Sequence, residues 1–190
     1  MTPDIALIIP FLNEQENIER LVSELNTYLA SVKGLIVEVL FVDDGSTDQS
    51  VALLKNAKHH AYTAKIIQLS KNFGSHAALR AGILQATGQY VTFLPADLQD
   101  PLTLIERLYH KSQEGYDIVW AARQDVAVSL IERLFSKAYA SLMRKFVTRN
   151  YPLNGFDIVM FNAKVKQELN QDIEANSSIF LQILTLGFRC

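Results

Sequence analysis

At 190 residues with 49% hydrophobic content, the chain has the length of one ordinary α/β domain and enough apolar material for a core of that size. A formal charge of -2 and a pI near 6.1 exclude the broad cationic field on which nucleic-acid binding rests. Cys190 is the only cysteine, so no intrachain disulfide forms and a reducing, cytoplasmic setting is the simpler expectation; no apolar run reaches the roughly 20 residues that span a bilayer.

Ile5–Pro10 is a short continuous apolar run, and comparable runs follow at Val37–Val42, Lys65–Leu69, Tyr90–Leu94 and Asp117–Trp120. Such runs predict parallel strands buried on both faces. Between the first two, Ile18, Leu21, Val22, Leu25, Tyr28 and Leu29 recur at helical spacing, and this alternation of strand and helix continues to about residue 120. It predicts a single domain over residues 1–190, built on a doubly wound, mostly parallel sheet flanked by helices.

Asn13 with Glu16 and Ser46 with Gln49 have capping-box spacing, which predicts a helix N-terminus directly after each of the first two strands. Gly88 suits the left-handed position after a helix over Ser75–Thr87, and Asp100-Pro101 fits an N-cap followed by a first-turn proline. Val126–Val147 reads as one long helix, and the stretch beyond it is undecided.

Ligands of an open parallel sheet bind beyond the carboxyl ends of its strands. Three polar clusters stand there: Pro10-Phe11-Leu12-Asn13-Glu14, Val42-Asp43-Asp44-Gly45-Ser46-Thr47-Asp48, and Pro95-Ala96-Asp97-Leu98-Gln99-Asp100-Pro101. A carboxylate at Asp43 or Asp44 can accept from a ribose hydroxyl or a base N–H, although Asp, Gly and Ser are also ordinary turn residues. The first turn, Pro10 to Glu14, contains no glycine, which argues against a dinucleotide-binding oxidoreductase. Asp97, Gln99 and Asp100 supply hard oxygens, the ligand type with which Mg2+ or Mn2+ is held beside a substrate diphosphate. For Asp100 the cap ahead of Pro101 is a sufficient alternative role.

Pro10 with Asn13-Glu14, then Val42-Asp43-Asp44-Gly45-Ser46, then Asn72-Phe73-Gly74 with Ala77, Ala78 and Gly82, then Asp97-Leu98-Gln99-Asp100-Pro101, stand in an order that resembles the family 2 glycosyltransferases. The Asn-Phe-Gly and Asp-Leu-Gln segments are similar to the branch containing dolichol-phosphate mannosyltransferases and bacterial polyprenyl-phosphate glycosyltransferases. The similarity is strong over Ile5 to Arg123 and looser through Ser136-Lys137 and Asn154-Gly155-Phe156.

The resemblance implies a GT-A (Rossmann-like) fold, a UDP- or GDP-sugar donor, inversion at the anomeric carbon and a polyprenyl-phosphate acceptor in cell-envelope glycan synthesis. By position, Pro10, Asn13, Glu14, Asp43, Asp44, Asn72, Gly74 and Asp97 would bind the nucleotide sugar, and Asp97 and Gln99 the metal. Asp97 and Arg123 would be catalytic, Arg123 near the lipid phosphate with Arg133 as a second cation. Relatives carry an Asp-x-Asp pair where this chain has Pro95-Ala96-Asp97, so one carboxylate is missing. The family's C-terminal acceptor and membrane elements are expected to be lacking.

A phosphate monoester is largely ionised at neutral pH, so a phosphate acceptor needs no general base. A saccharide hydroxyl would need one, for which Asp157 is the available carboxylate. Between Val126 and Asn150, an apolar stripe including Ile131, Leu134, Phe135 and Leu142 accompanies Arg133, Lys137, Arg144, Lys145 and Arg149, against the single acid Glu132. Such a helix can lie on the inner face of an anionic membrane, or pack its stripe on the sheet. Competing readings are a sugar nucleotidyltransferase, which would need a Gly-rich basic loop after its first strand, and a non-catalytic nucleotide-sugar-binding module.

Overall fold

The computed structural model describes residues 2–122, 156–171 and 178–190. Among these residues, six strands form one sheet: β1 (Ile5–Phe11), β2 (Val37–Asp43), β3 (Thr63–Gln68), β4 (Tyr90–Phe93), β5 (Ile118–Ala122) and β6 (Phe156–Asn162). The helices among them are α1 (Gln15–Ser31), α2 (Ser50–Asn56), α3 (Ser75–Gln85), α4 (Thr103–Ser112), α5 (Ala163–Gln171) and α6 (Ile179–Thr185). The expected helix over Val126–Val147 lies outside the described residues, as do Arg123, Arg133, Ser136-Lys137 and Asn154-Gly155. Among the described residues no helix is long and apolar enough to cross a membrane.

The strand order is β3-β2-β1-β4-β6-β5. The first four strands pair in parallel, as their continuous apolar runs predict. The C-terminal stretch, undecided from sequence, supplies β6, which inserts antiparallel between β4 and β5. The last predicted strand therefore forms, but its sheet neighbour is an antiparallel one.

β1 shows why this architecture holds. Ile5, Leu7, Ile9 and Phe11 face one layer, with Ile18, Leu21 and Leu25 of α1, Leu54 of α2, and Ile105 and Leu108 of α4. Ala6 and Ile8 face the other, with Ala78, Leu79 and Ile83 of α3, Val165 and Leu169 of α5, and Ile179 and Ile183 of α6. Each fully buried isoleucine contributes about 1.5–3 kcal/mol, so a strand buried on both sides is a large share of the stability. The chain moves outward from β1 to β3 with α1 and α2 on one face. It then returns past β1 to β4, and right-handed connection puts α3 on the opposite face.

Two expectations about helix ends are corrected. Gly88 is not left-handed; a Cβ there would stand 2.5 Å from Ala6 N, so the residue is glycine because the chain entering β4 runs against β1. The caps expected from Asn13 and Ser46 are not made either. α1 begins after Glu14 and α2 after Gln49, each without a side-chain cap hydrogen bond, and α4 begins at Thr103, beyond the expected first-turn Pro101.

Candidate functional site

The polar residues that do not cap their own helices join neighbouring loops instead. Asn13 adopts a left-handed φ of 54° between β1 and α1. Its backbone N–H donates to Ser46 Oγ at 2.8 Å, and its Oδ1 accepts from Thr47 N–H at 2.8 Å. Glu14 N–H donates to Ser50 Oγ (2.8 Å) and Gln15 N–H to Asp48 Oδ2 (3.1 Å). The loops after β1 and β2 thus form one seam. Desolvation pushes the Asp48 carboxyl up, but the hydrogen bonds from the Ser50 hydroxyl and amide and from Gln15 outweigh it and leave its pKa lowered.

Asp43 and Asp44, at the end of β2, are buried, with relative exposures of 2% and 4%. Asp43 Oδ1 accepts from Ser46 N–H at 2.8 Å, which closes the turn. The Asp44 backbone N–H donates to Phe11 O at 2.9 Å. Its two carboxylate oxygens accept from Phe73 N–H (2.8 Å) and Gly74 N–H (2.9 Å), and so hold the loop between β3 and α3.

At β4 the chain turns through Pro95 to Leu98, the latter at a φ of 56°. This turn presents Asp97 at its tip, partly exposed. Gln99 closes on it twice: its backbone N–H reaches Asp97 Oδ1 at 3.2 Å and its Nε2 donates to Asp97 Oδ2 at 2.7 Å.

The three loops surround a cavity of about 420 Å³ at the carboxyl edge of β1 and β4, where the strand order reverses. Pro10, Glu14, Asp44, Asn72, Gly74 and Asp97 border it. Asn13, Asp43 and Gln99 do not; Asn13 and Asp43 brace the loops, and Gln99 braces Asp97. Arg123 and the side chain of Asp157 lie outside the described residues.

Sequence reasoning missed the apolar wall. Phe93 of β4, Ala78 and Leu79 of α3, Ile158 of β6 and Phe180 of α6 all line the cavity. Phe180 stands edge-on to Phe93 at 6.0 Å and to His76 at 5.9 Å between ring centroids. The signal was present as a strand-like run at Phe156–Asn162 and an apolar stretch at Ile179–Leu184, both beyond the motif clusters.

The carboxylates fit a hard divalent cation in one respect. Asp97 and Glu14 bring anionic oxygens to the cavity, while among the described residues no three His, Cys, Asp or Glu side chains cluster as a metal cage. Such a set suits an ion that draws its remaining ligands from a diphosphate and water.

Comparison with known proteins supplies the family. The pattern of "Glycosyl transferase family 2" matches residues 6–173. A glycosyltransferase of Synechocystis is 34% identical over 172 residues, covering 90% of this chain and 54% of that protein. The undecaprenyl-phosphate 4-deoxy-4-formamido-L-arabinose transferase of Salmonella typhimurium is 37% identical over 142 residues, covering 74% of this chain and 43% of that one. The chain spans about half the length of these relatives. Among solved structures, mannosyltransferase PcManGT from Pyrobaculum calidifontis, in complex with GDP-Man and Mn2+, superimposes with a TM-score of 0.66 at 18% identity. That match covers 100% of this chain and 54% of the other. Glucosyl-3-phosphoglycerate synthase from Mycobacterium tuberculosis, in complex with Mn2+ and UDP, gives 0.58 at 22% identity, covering 86% and 58%. The fold is therefore that of the GT-A enzymes, and the chain belongs to glycosyltransferase family 2.

Proposed function

We propose that this chain is the donor-binding catalytic domain of an inverting enzyme that moves a sugar from a UDP- or GDP-linked donor to a polyprenyl phosphate. The observation that carries the reading is the cavity at the reversal point of the sheet, with Glu14, Asn72, Gly74 and Asp97 on its polar side and an apolar wall opposite. Family membership supports sugar transfer, and the activity of the Salmonella relative supports a lipid-linked phosphate as acceptor. GDP-Man and UDP, held by the Pyrobaculum and Mycobacterium structures, support a nucleotide-sugar donor.

In this reading Pro10, Asn13, Glu14, Asp43, Asp44, Asn72, Gly74 and Asp97 shape the donor site. Asp97, braced by Gln99, would hold a divalent metal, Mg2+ or Mn2+, which would supply positive charge against the departing diphosphate. An oxygen of the acceptor phosphate forms a bond to the anomeric carbon as the bond from that carbon to the nucleoside diphosphate breaks. The acceptor is already ionised, so no residue need act as base. Arg123 follows β5 directly in sequence, and a guanidinium there suits the acceptor phosphate. In this reading the protein works at the membrane surface, on the cytoplasmic side.

The test is a thermal-shift panel of UDP, GDP and their sugars, with and without Mn2+, followed by transfer to a polyprenyl phosphate. A native-state ligand raises the apparent melting temperature. No shift with any of these compounds would sink the donor assignment.

A further inference from the structure

We infer that Phe180 is a specificity-determining residue of the donor site: its ring is the platform on which the transferred sugar rests, while the nucleotide binds without it. The inference rests on the nucleotide-sugar reading above and deepens it by naming the side chain that meets the sugar.

The order of the strands points to this division. Along the carboxyl edge of the sheet, β2 leads to Asp44, β1 to Glu14 and β4 to Asp97, and β6 with Ile158 stands on the far side of β4. The carboxylates that line the cavity are thus spread from β2 to β4, and β6 adds an apolar side chain. A nucleotide sugar is a linear molecule in which the diphosphate separates the nucleoside from the sugar. With the diphosphate at Asp97 and the nucleoside toward Glu14 and Asp44, the sugar falls on the β6 side. There it meets Ile158 and also Phe180, which α6 sets against Phe93 of β4.

Phe180 differs from the rest of that wall. Phe93, Ala78, Leu79 and Ile158 are buried, whereas Phe180 is half-buried. Its ring is nevertheless held in place, by edge contacts to Phe93 and to His76 in the first turn of α3. The helix that carries it is anchored by Ile179 and Ile183 in the core, and by Gln182, whose side chain accepts from the Arg80 guanidinium of α3. A ring held this way loses little freedom when a ligand settles on it.

The chemistry of the wall selects which side of the sugar it receives. A pyranose presents C–H groups, with partial positive charge, that suit the negative face of an aromatic ring, and the contact adds to apolar burial. A hydroxyl turned to the same wall would lose water without gaining a hydrogen-bond partner. The sugar is therefore taken by its C–H face, and its hydroxyls point toward the polar side of the cavity.

The experiment compares each nucleotide with its own sugar conjugates: UDP with UDP-glucose and UDP-N-acetylglucosamine, and GDP with GDP-mannose. Calorimetry in Mn2+ would be run on wild type, Phe180→Ala and Phe180→Leu. The ratio of conjugate to nucleotide affinity isolates the sugar. Leucine keeps apolar volume against Phe93 and removes the flat ring, so it decides the question where the alanine variant does not fold.

The expected result is a loss of roughly three- to tenfold in affinity for the conjugate that wild type binds, the scale of one aromatic contact, with affinity for the bare nucleotide unchanged. Equal losses for nucleotide and conjugate would put Phe180 beneath the base, or give it a structural role alone, and overturn the inference. Unchanged affinity for both in a folded variant overturns it too, as does a wild-type chain that binds a nucleotide but none of its conjugates. A wild-type chain that binds no nucleotide and no conjugate sinks the donor reading itself, and this inference with it.

Discussion

Gln99 donates its side-chain amide to Asp97 Oδ2 at 2.7 Å, and its backbone N–H to Oδ1 of the same carboxylate at 3.2 Å. The turn after β4 thus aims one carboxylate at the cavity and fixes it with the residue two places on. Removing a group that orients a metal ligand typically weakens metal affinity about 10–100-fold. Gln99→Ala is expected to weaken Mn2+-dependent nucleotide binding on that scale and to leave metal-free binding unchanged. Calorimetry with UDP or GDP at several Mn2+ concentrations checks it; equal metal dependence in variant and wild type would remove Gln99 from the site.

Asp97→Asn keeps the shape and removes the charge, so its effect on metal-dependent binding should be at least as large as that of Gln99→Ala. Pro95→Asp tests the opposite sign. Pro95 lines the same cavity two residues before Asp97, and a carboxylate there would add the anionic ligand that the Asp-x-Asp pattern contains. Mn2+ should bind the Pro95→Asp variant more tightly than wild type in the presence of nucleoside diphosphate. Parallel Mn2+ titrations of both variants decide the matter, and an unchanged apparent affinity in Asp97→Asn would show that any cation is held elsewhere.

The residues that made the site legible were those with strong local chemistry. Continuous apolar runs marked β1 to β4, and the acids directly after them marked the edge on which the cavity opens. The caps were misread because short polar side chains have several uses. Asn13 and Ser46 have the right spacing to serve their own helices, yet Ser46 Oγ accepts from Asn13 N–H and Asn13 Oδ1 from Thr47 N–H, so each serves the neighbouring loop. Local spacing carries no information about that partner. The antiparallel insertion of β6 was hidden for a related reason, because Met160 pairs with Thr92 and Val119, far away in sequence. The apolar wall followed β6 and α6 into that blind region.

Asn13 offers a test of the loop seam. Its φ of 54° suits asparagine or glycine, whereas alanine in that region costs roughly 1–2 kcal/mol. Asn13→Ala and Asn13→Gly both lose the hydrogen bond to Thr47 N–H, so both should weaken nucleotide binding. Only alanine adds backbone strain, and it should be the less stable by about 1 kcal/mol after the greater unfolded-state freedom of glycine is counted. Urea unfolding compares the two. An alanine variant as stable as the glycine variant would show that the loop relaxes its conformation without cost.

Glu38 lies near the start of β2, in register with Ala6 and Thr63 and at the far end of the strand from the cavity. It is 1% exposed and accepts from Lys65 Nζ (2.9 Å), the Thr87 hydroxyl (2.8 Å), Gly88 N–H (2.8 Å) and Thr87 N–H. Desolvation pushes its carboxyl up, but these four donors outweigh burial and leave the pKa lowered. A carboxyl whose pKa is lowered by folding contributes stability above its unfolded value, near 4.3, and loses that contribution as pH falls through the folded value. Glu38→Gln should therefore destabilise the chain by roughly 3 kcal/mol at neutral pH, because donors at the mouth of β4 and the Lys65 ammonium lose their acceptor. Lys65→Met should cost less, since the carboxylate keeps three of its donors and Lys65 is itself partly solvated. The gap between wild type and Glu38→Gln should narrow as the medium is acidified below the unfolded pKa, while nucleotide affinity of the folded variant stays at the wild-type value. Denaturant unfolding at neutral pH and at successively lower pH reads both effects, and a gap that stayed constant, or widened, in acid would mean that the Glu38 charge is not what fastens β2 to the chain entering β4.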